Sequence, residues 1–155
     1  MKEKKKFIIC AIIILIIIVI CFVISNVNGE MKFVEEEMLE NVTMTIKEGT
    51  LTRTQATVII TDLSGDDNTY SDFFRIDKKE NNKWKKLDVI VKGNYGFNSI
   101  GYTVNEDNIL EMKIDWNWLY GELDTGEYRL VKSASVTKDN SFLGDKYVYV
   151  EFIIE

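Results

Sequence analysis

The pattern of apolar and polar positions changes character twice along this chain. Residues 7–24, FIICAIIILIIIVICFVI, form an unbroken apolar run behind Lys2, Lys4, Lys5 and Lys6. As a helix rising ~1.5 Å per residue, that run covers roughly 27 Å, close to the ~30 Å hydrocarbon core of a bilayer. It predicts a transmembrane helix at residues 7–24. The lysines of the basic tail, residues 1–6, hold the N-terminus in the cytoplasm and place the remainder of the chain outside.

Residues 25–41 form an acidic linker. Met31, Val34, Met38 and Leu39 recur at helical spacing with acidic residues between them, so a short stalk helix and a flexible tether are both open. From Val42 the period becomes two. Val42, Met44 and Ile46 share one face of VTMTIK, and Ala56, Val58 and Ile60 share one face of residues 55–61, the alternation of half-buried strands. The acidic run DLSGDDN then reads as a turn or loop. Phe74 and Ile76 resume the pattern, and Asn81-Asn82 signals a hairpin before WKKLDVIV at residues 84–91. The glycine-rich residues 92–104, KGNYGFNSIGYTV, predict irregular or bulged backbone. Leu110, Met112 and Ile114 mark another strand, DWNWLYGELDTG a compact turn, residues 127–136 a strand and residues 138–145 a loop. Val148, Val150, Phe152 and Ile154 face one way on a last strand. Seven or so strands without a convincing internal helix predict an all-β antiparallel sandwich over residues 42–155.

Charge and composition narrow the role. Outside residues 1–24, taking the tail's four Lys and one Glu from the totals leaves 15 basic and 24 acidic residues, a net charge of −9. That balance argues against nucleic acid and against docking on anionic lipid, because both need clustered Lys and Arg. The two cysteines, Cys10 and Cys21, fall inside the apolar run, so the outer domain has no thiol and no disulfide. Bulky Ile18, Val19 and Ile20 ahead of Cys21 do not suit a lipoprotein signal. Cleavage near Gly29, which would release a secreted form, is the other alternative, but an apolar core of this length favours an uncleaved anchor. The chain has no His, the commonest general base and metal ligand, and no Pro, so its turns fall to Gly, Asn and Asp.

The stretch LDTGEY, residues 123–128, is the most specific feature of the outer domain. Asp124, Gly126 and Tyr128 fit the corner in which a tyrosine hydroxyl bonds back to the backbone just before its strand. With VTMTIKEGTLTRTQATVIITD, FRIDKKENNKWKKL and LYGELDTGEYRLVK, the outer domain resembles the bacterial immunoglobulin-like domains on exported proteins of Gram-positive bacteria. The absence of disulfides is in keeping with such an origin. The resemblance implies an immunoglobulin-like sandwich of about seven strands serving as a non-enzymatic surface or adhesion module.

Candidate sites follow from residue chemistry. Asp62, Asp66, Asp67 and Asp72 could supply several oxygens to calcium, against the simpler reading of a solvated loop. Trp116, Trp118 and Tyr120 put three rings in five residues, either a stacking platform or core; if Trp116 and Leu119 point inward, Trp118 is the exposed one. Tyr95 and Phe97 are either a ligand-contacting edge or filling for the sandwich. Tyr95, Phe97 and Trp118 are thus the candidate binding residues. No nucleophile lies beside a base, and nothing fixes a separation between Asp115 and Asp124 as an acid/base pair. The expectation is a membrane-anchored extracellular binding domain for a protein or cell-wall ligand, without cofactor. An accessory subunit of a larger membrane complex is the alternative, although the apolar run lacks a small-x-x-x-small pattern for tight helix pairing.

Overall fold

Alternation builds the first sheet. β1 (Val42–Ile46), β2 (Gln55–Asp62) and β6 (Ile109–Asp115) pair antiparallel in the order β1-β2-β6. Met44 stands opposite Ile60, and Val58 opposite Met112, so their side chains meet on the buried face. The second sheet contains β3 (Asp67–Glu80), β4 (Lys83–Lys86), β5 (Gly101–Tyr102), β7 (Gly126–Lys138) and β8 (Ser141–Ile154). Its order is β4-β3-β7-β8, with β5 pairing β3 on the same side as β4. A computed structural model describes residues 36–155, and within it residues 37–155 form one compact unit.

One core joins the two sheets. Val58, Ile60 and Ile114 from the first sheet pack with Tyr70, Ile76, Leu130, Ala134 and Phe152 from the second. The antiparallel, eight-stranded arrangement with almost no helix fits the expected immunoglobulin-like sandwich. The single described helix, α1 (Asn117–Tyr120), is one turn long and interrupts the stretch expected to be a turn alone.

Both tight hairpins use asparagine and aspartate in the left-handed region, where a short polar side chain is tolerated. Asn81 and Asn82 have φ of 50° and 60° between β3 and β4, and Asp139 and Asn140 have φ of 49° and 59° between β7 and β8. The second turn corrects the loop expected over residues 138–145. Only Asp139 and Asn140 are off-strand, because Lys138 already pairs with Ser141.

Three further expectations are corrected. The strand expected over residues 84–91 ends at Lys86; Leu87 still donates its N–H to the Ile76 carbonyl, but Ile90 donates to the Leu119 carbonyl, so the chain has left β3 by then. The acidic loop is shorter than expected, since Asp67 and Asp72 belong to β3. The described end of the linker, residues 36–41, is not helical. Met38 bridges Tyr147 in parallel, the Leu39 N–H donates to the Tyr147 carbonyl at 2.8 Å, and the Tyr147 N–H donates to the Glu37 carbonyl at 2.9 Å. Edge-strand backbone left unpaired by β7 is what the linker satisfies, and Leu39 enters the core. The membrane helix expected at residues 7–24, the basic tail and the cleavage point at Gly29 lie outside the described residues; among the described ones no helix is long and apolar enough to cross a membrane.

Candidate functional site: an aromatic cleft beside a strand bulge

The site begins with an irregularity in β3. Tyr70 pairs with Ala134 and Phe74 with Lys132, so Ser71, Asp72 and Phe73 stand opposite Ser133 alone. A bulge of this kind bends its strand and redirects side chains. β5 holds the bulge from the other side, with Gly101 opposite Ser71. A Cβ on Gly101 would lie 2.5 Å from Thr69 Cγ2, so any larger residue there would force the Thr69 side chain or the strand to shift.

The pairing of β5 ties the irregular residues 92–100 to the bulge, and the rings they carry meet those of β3 and α1. Phe97 lies 5.2 Å from Phe73, 5.3 Å from Phe74 and 5.7 Å from Trp118, ring centre to ring centre. Tyr95 lies 6.4 Å from Phe97 and 6.3 Å from Trp118. These contacts are edge-on, with interplanar angles between 70° and 81° for the three pairs among Tyr95, Phe97 and Trp118. The structure therefore brings together three candidate binding residues that stand in two separate stretches of sequence. Phe97 is half-buried at their centre, while Tyr95 is 48% and Trp118 43% exposed.

Phe74, Phe97 and Trp118 line an open cleft of about 260 Å³, whose polar lining comprises Asp72, Asn98, Lys113 and Asp115; Tyr95 is not in the lining but stands against Phe97 and Trp118. The two sheets supply opposite walls: Asp72 and Phe74 come from β3, and residues 113–115 from the edge strand β6. Asn98 Nδ2 donates to Asp72 Oδ2 at 2.9 Å, fixing the carboxylate to the loop. Asp115 Oδ1 accepts the Asn117 N–H at 2.9 Å, orienting the start of α1 and hence Trp118.

Behind the bulge is a group no sequence pattern disclosed. Lys132 is 0% exposed, and its Nζ donates to the Ser71 carbonyl at 2.6 Å. Burial pushes its pKa down to about 8, and the neighbouring Asp72 carboxylate pulls in the opposite direction. A lysine at an alternating core position of β7 reads as apolar or misplaced until the bulge supplies its carbonyl partner.

The other side chains of the turn work inward. Trp116 is 0% exposed, stacks on Phe152 at 5.6 Å and donates its Nε1–H to the Arg53 carbonyl at 2.9 Å. Tyr120 is buried, and its hydroxyl oxygen accepts the Ile76 N–H at 3.4 Å. At the corner, Tyr128 is 1% exposed and its hydroxyl donates to the Asp124 carbonyl at 2.9 Å. Gly126 packs closely at this corner: a Cβ there would lie 3.3 Å from Lys78 Cε and 3.4 Å from Tyr128 Cε2, so a larger residue would require these side chains to give slightly.

The acidic candidates do not assemble into a metal site. Asp62 is buried and accepts from the Ser64 N–H and hydroxyl, Asn68 Nδ2 and the Tyr70 hydroxyl, at 2.6–3.0 Å. Burial raises its pKa, but these hydrogen bonds outweigh burial and hold the carboxyl below its ordinary range. Asp66 pairs with Lys138 at 3.0 Å, Asp72 belongs to the cleft, and Asp67 is exposed on β3. Among the described residues no three carboxylates gather as a group able to hold a metal ion. Asp62 has spent its oxygens on locking the loop. A second charged cluster is also structural: Asp77 is held by Arg75 and Arg129, each at 2.7 Å, and Arg129 lies over the rings of Trp84 and Tyr149.

Comparison with known proteins adds one finding. No curated protein and no solved structure matches the chain. The family model described as Bacterial Ig-like domain matches residues 38–146, which run from the linker bridge at Met38 through the tyrosine corner into β8. The match begins where the described backbone first joins the sheet and covers well over half of the sequence, so the chain belongs to the bacterial Ig-like domain family.

Proposed function

We propose that this chain is a non-enzymatic binding module displayed at the cell surface, with residues 7–24 as its membrane anchor and the aromatic cleft as its contact site. The observation that carries the reading is the convergence of Tyr95, Phe97 and Trp118 beside one cleft, with two of the rings left open to solvent. A sheet framework that presents aromatic surface at low entropy cost is suited to recognition. Membership of the bacterial Ig-like family supports it, since such a domain suggests a surface or extracellular module. The cleft offers carboxylates, an amide and an ammonium but no activated nucleophile, which favours binding over catalysis.

Cells displaying the full chain test this directly. Protease added to intact cells should remove the outer domain, and wild-type cells should capture fluorescent fragments of bacterial envelope. Trp118→Ala should reduce that capture by about tenfold, equivalent to losing one buried aromatic anchor of roughly 1.4 kcal/mol. Equal capture by variant and wild type would remove the cleft from the function.

A further inference from the structure

We infer that the ligand of this cleft is a neutral carbohydrate, an oligosaccharide whose rings stack on Trp118 and Tyr95. The inference deepens the binding reading given above and rests on it. Charge decides the class of ligand. Two carboxylates line the cleft, Asp72 and Asp115, and one ammonium, Lys113. A second ammonium, Lys132, lies buried behind the bulge, hydrogen-bonded to the carbonyl of Ser71, the residue next to Asp72. The lining alone is one charge negative, and Lys132 behind it brings the formal total to zero.

Neither sign of ligand gains from that balance. A cation approaching Asp72 and Asp115 meets Lys113 and the field of Lys132; an anion meets the carboxylates and a domain whose net charge is strongly negative. A neutral ligand pays neither penalty. It must still satisfy the polar lining, because a purely apolar ligand would strip water from two carboxylates and an amide without replacing it.

A sugar ring meets both demands. Its C–H face covers an aromatic ring, and its hydroxyls donate to carboxylates and exchange hydrogen bonds with amides. Trp118, Asp72, Asn98 and Asp115 line the one cleft, and Tyr95, outside that lining, stands against Trp118. Trp118 and Tyr95 meet at an interplanar angle of 70°, forming two walls of a corner. Asn98 occupies Asp72 Oδ2, leaving Oδ1 without a protein partner among the described residues. The asparagine keeps its own carbonyl oxygen and second N–H for a hydroxyl. An open cleft of about 260 Å³ suits entry of a chain from either side better than engulfment of a small molecule.

The full chain in detergent micelles can be titrated with β-1,4-linked tetramers of glucose and of N-acetylglucosamine, using tryptophan fluorescence and ligand-observed NMR. At least one tetramer should bind saturably at about millimolar Kd or tighter, with little change between low and high salt. Trp118→Ala and Tyr95→Ala should each weaken it about tenfold, and Asn98→Ala by a smaller factor. Pentalysine, as a cationic peptide probe, should not compete. The inference is overturned if neither tetramer binds up to about 10 mM, if both ring variants bind like wild type, or if pentalysine binds the cleft instead. Should the sugars fail while envelope capture still depends on Trp118, the carbohydrate inference falls and the binding reading stands. Should Trp118 matter to neither, both fall.

Discussion

Trp116 and Trp118 are two residues apart, and the structure sends them to opposite fates. Trp116 joins Phe152 and Tyr128 in a stack of nearly parallel rings, with interplanar angles of 28° and 23°. Each polar handle there is spent on backbone: the indole N–H on Arg53, the phenol hydroxyl on Asp124. Trp118 joins Tyr95 and Phe97 edge-on, half in solvent, beside carboxylates and an amide. The first group closes the sandwich and its corner. The second gains edge contacts among its rings but leaves apolar surface open to solvent. What distinguishes them is whether burial and hydrogen bonding are complete, and ring type alone does not tell.

Chemical denaturation of single variants can break this contrast. The largest effect is expected at Trp116→Ala, which leaves a cavity in the stack and removes the ring contact with Phe152, a cost of about 3–5 kcal/mol. Trp118→Ala, by contrast, loses only partly solvated edge contacts and should cost clearly less, about 1–2 kcal/mol. Similar losses at both positions would make Trp118 a core residue and remove the distinction.

Next in size is a pH effect centred on Lys132, behind the cleft. Its folded pKa of about 8 lies below the ordinary lysine value. Between the two, the unfolded chain holds a proton that the folded chain has released, so stability should rise with pH. The gain should begin near pH 8 and be complete above the unfolded lysine pKa of ~10.4, with a slope of up to about 1.4 kcal/mol per pH unit. Comparing wild type with Lys132→Met across that window isolates the lysine from other titrating groups. Parallel curves for the two proteins would show that Lys132 is not buried as a charge.

The smallest effect sharpens the corner. Tyr128→Phe keeps the stacked ring and removes only the hydroxyl, leaving the Asp124 carbonyl without its donor, and should cost about 1 kcal/mol. An unchanged midpoint would mean that the corner bond contributes nothing net.

Much of the sandwich was legible in the sequence because alternation with period two is enforced residue by residue. Val58, Ile60, Met112 and Ile114 could be assigned to a buried face without knowing what they pack against. Asp124, Gly126 and Tyr128 were legible for a similar reason, since their bond spans only four residues. Errors came where polar residues are buried or where pairing is non-local. Asn68 and Asp62 sit inside because the Asn68 amide N–H donates to the Asp62 carboxylate, so β3 begins in a run that composition assigns to a loop. The strand expected beyond Lys86 fails because the chain crosses toward α1, and hydrophobic pattern does not reveal that departure.

The sequence alone determined a cysteine-free, acidic β-domain behind an apolar run, together with most strand positions, because hydropathy, charge and short-range turn chemistry act locally. It also named Tyr95 and Phe97 in one stretch and Trp118 in another. Only tertiary structure decided that they form a single site. Their meeting depends on the bulge at residues 71–73, on Gly101 fitting against Thr69, and on Lys132 finding a carbonyl across the strand. Each is a contact between segments far apart in sequence. No local preference encodes such a contact, so the cleft exists only once both sheets and the loop between them are in place.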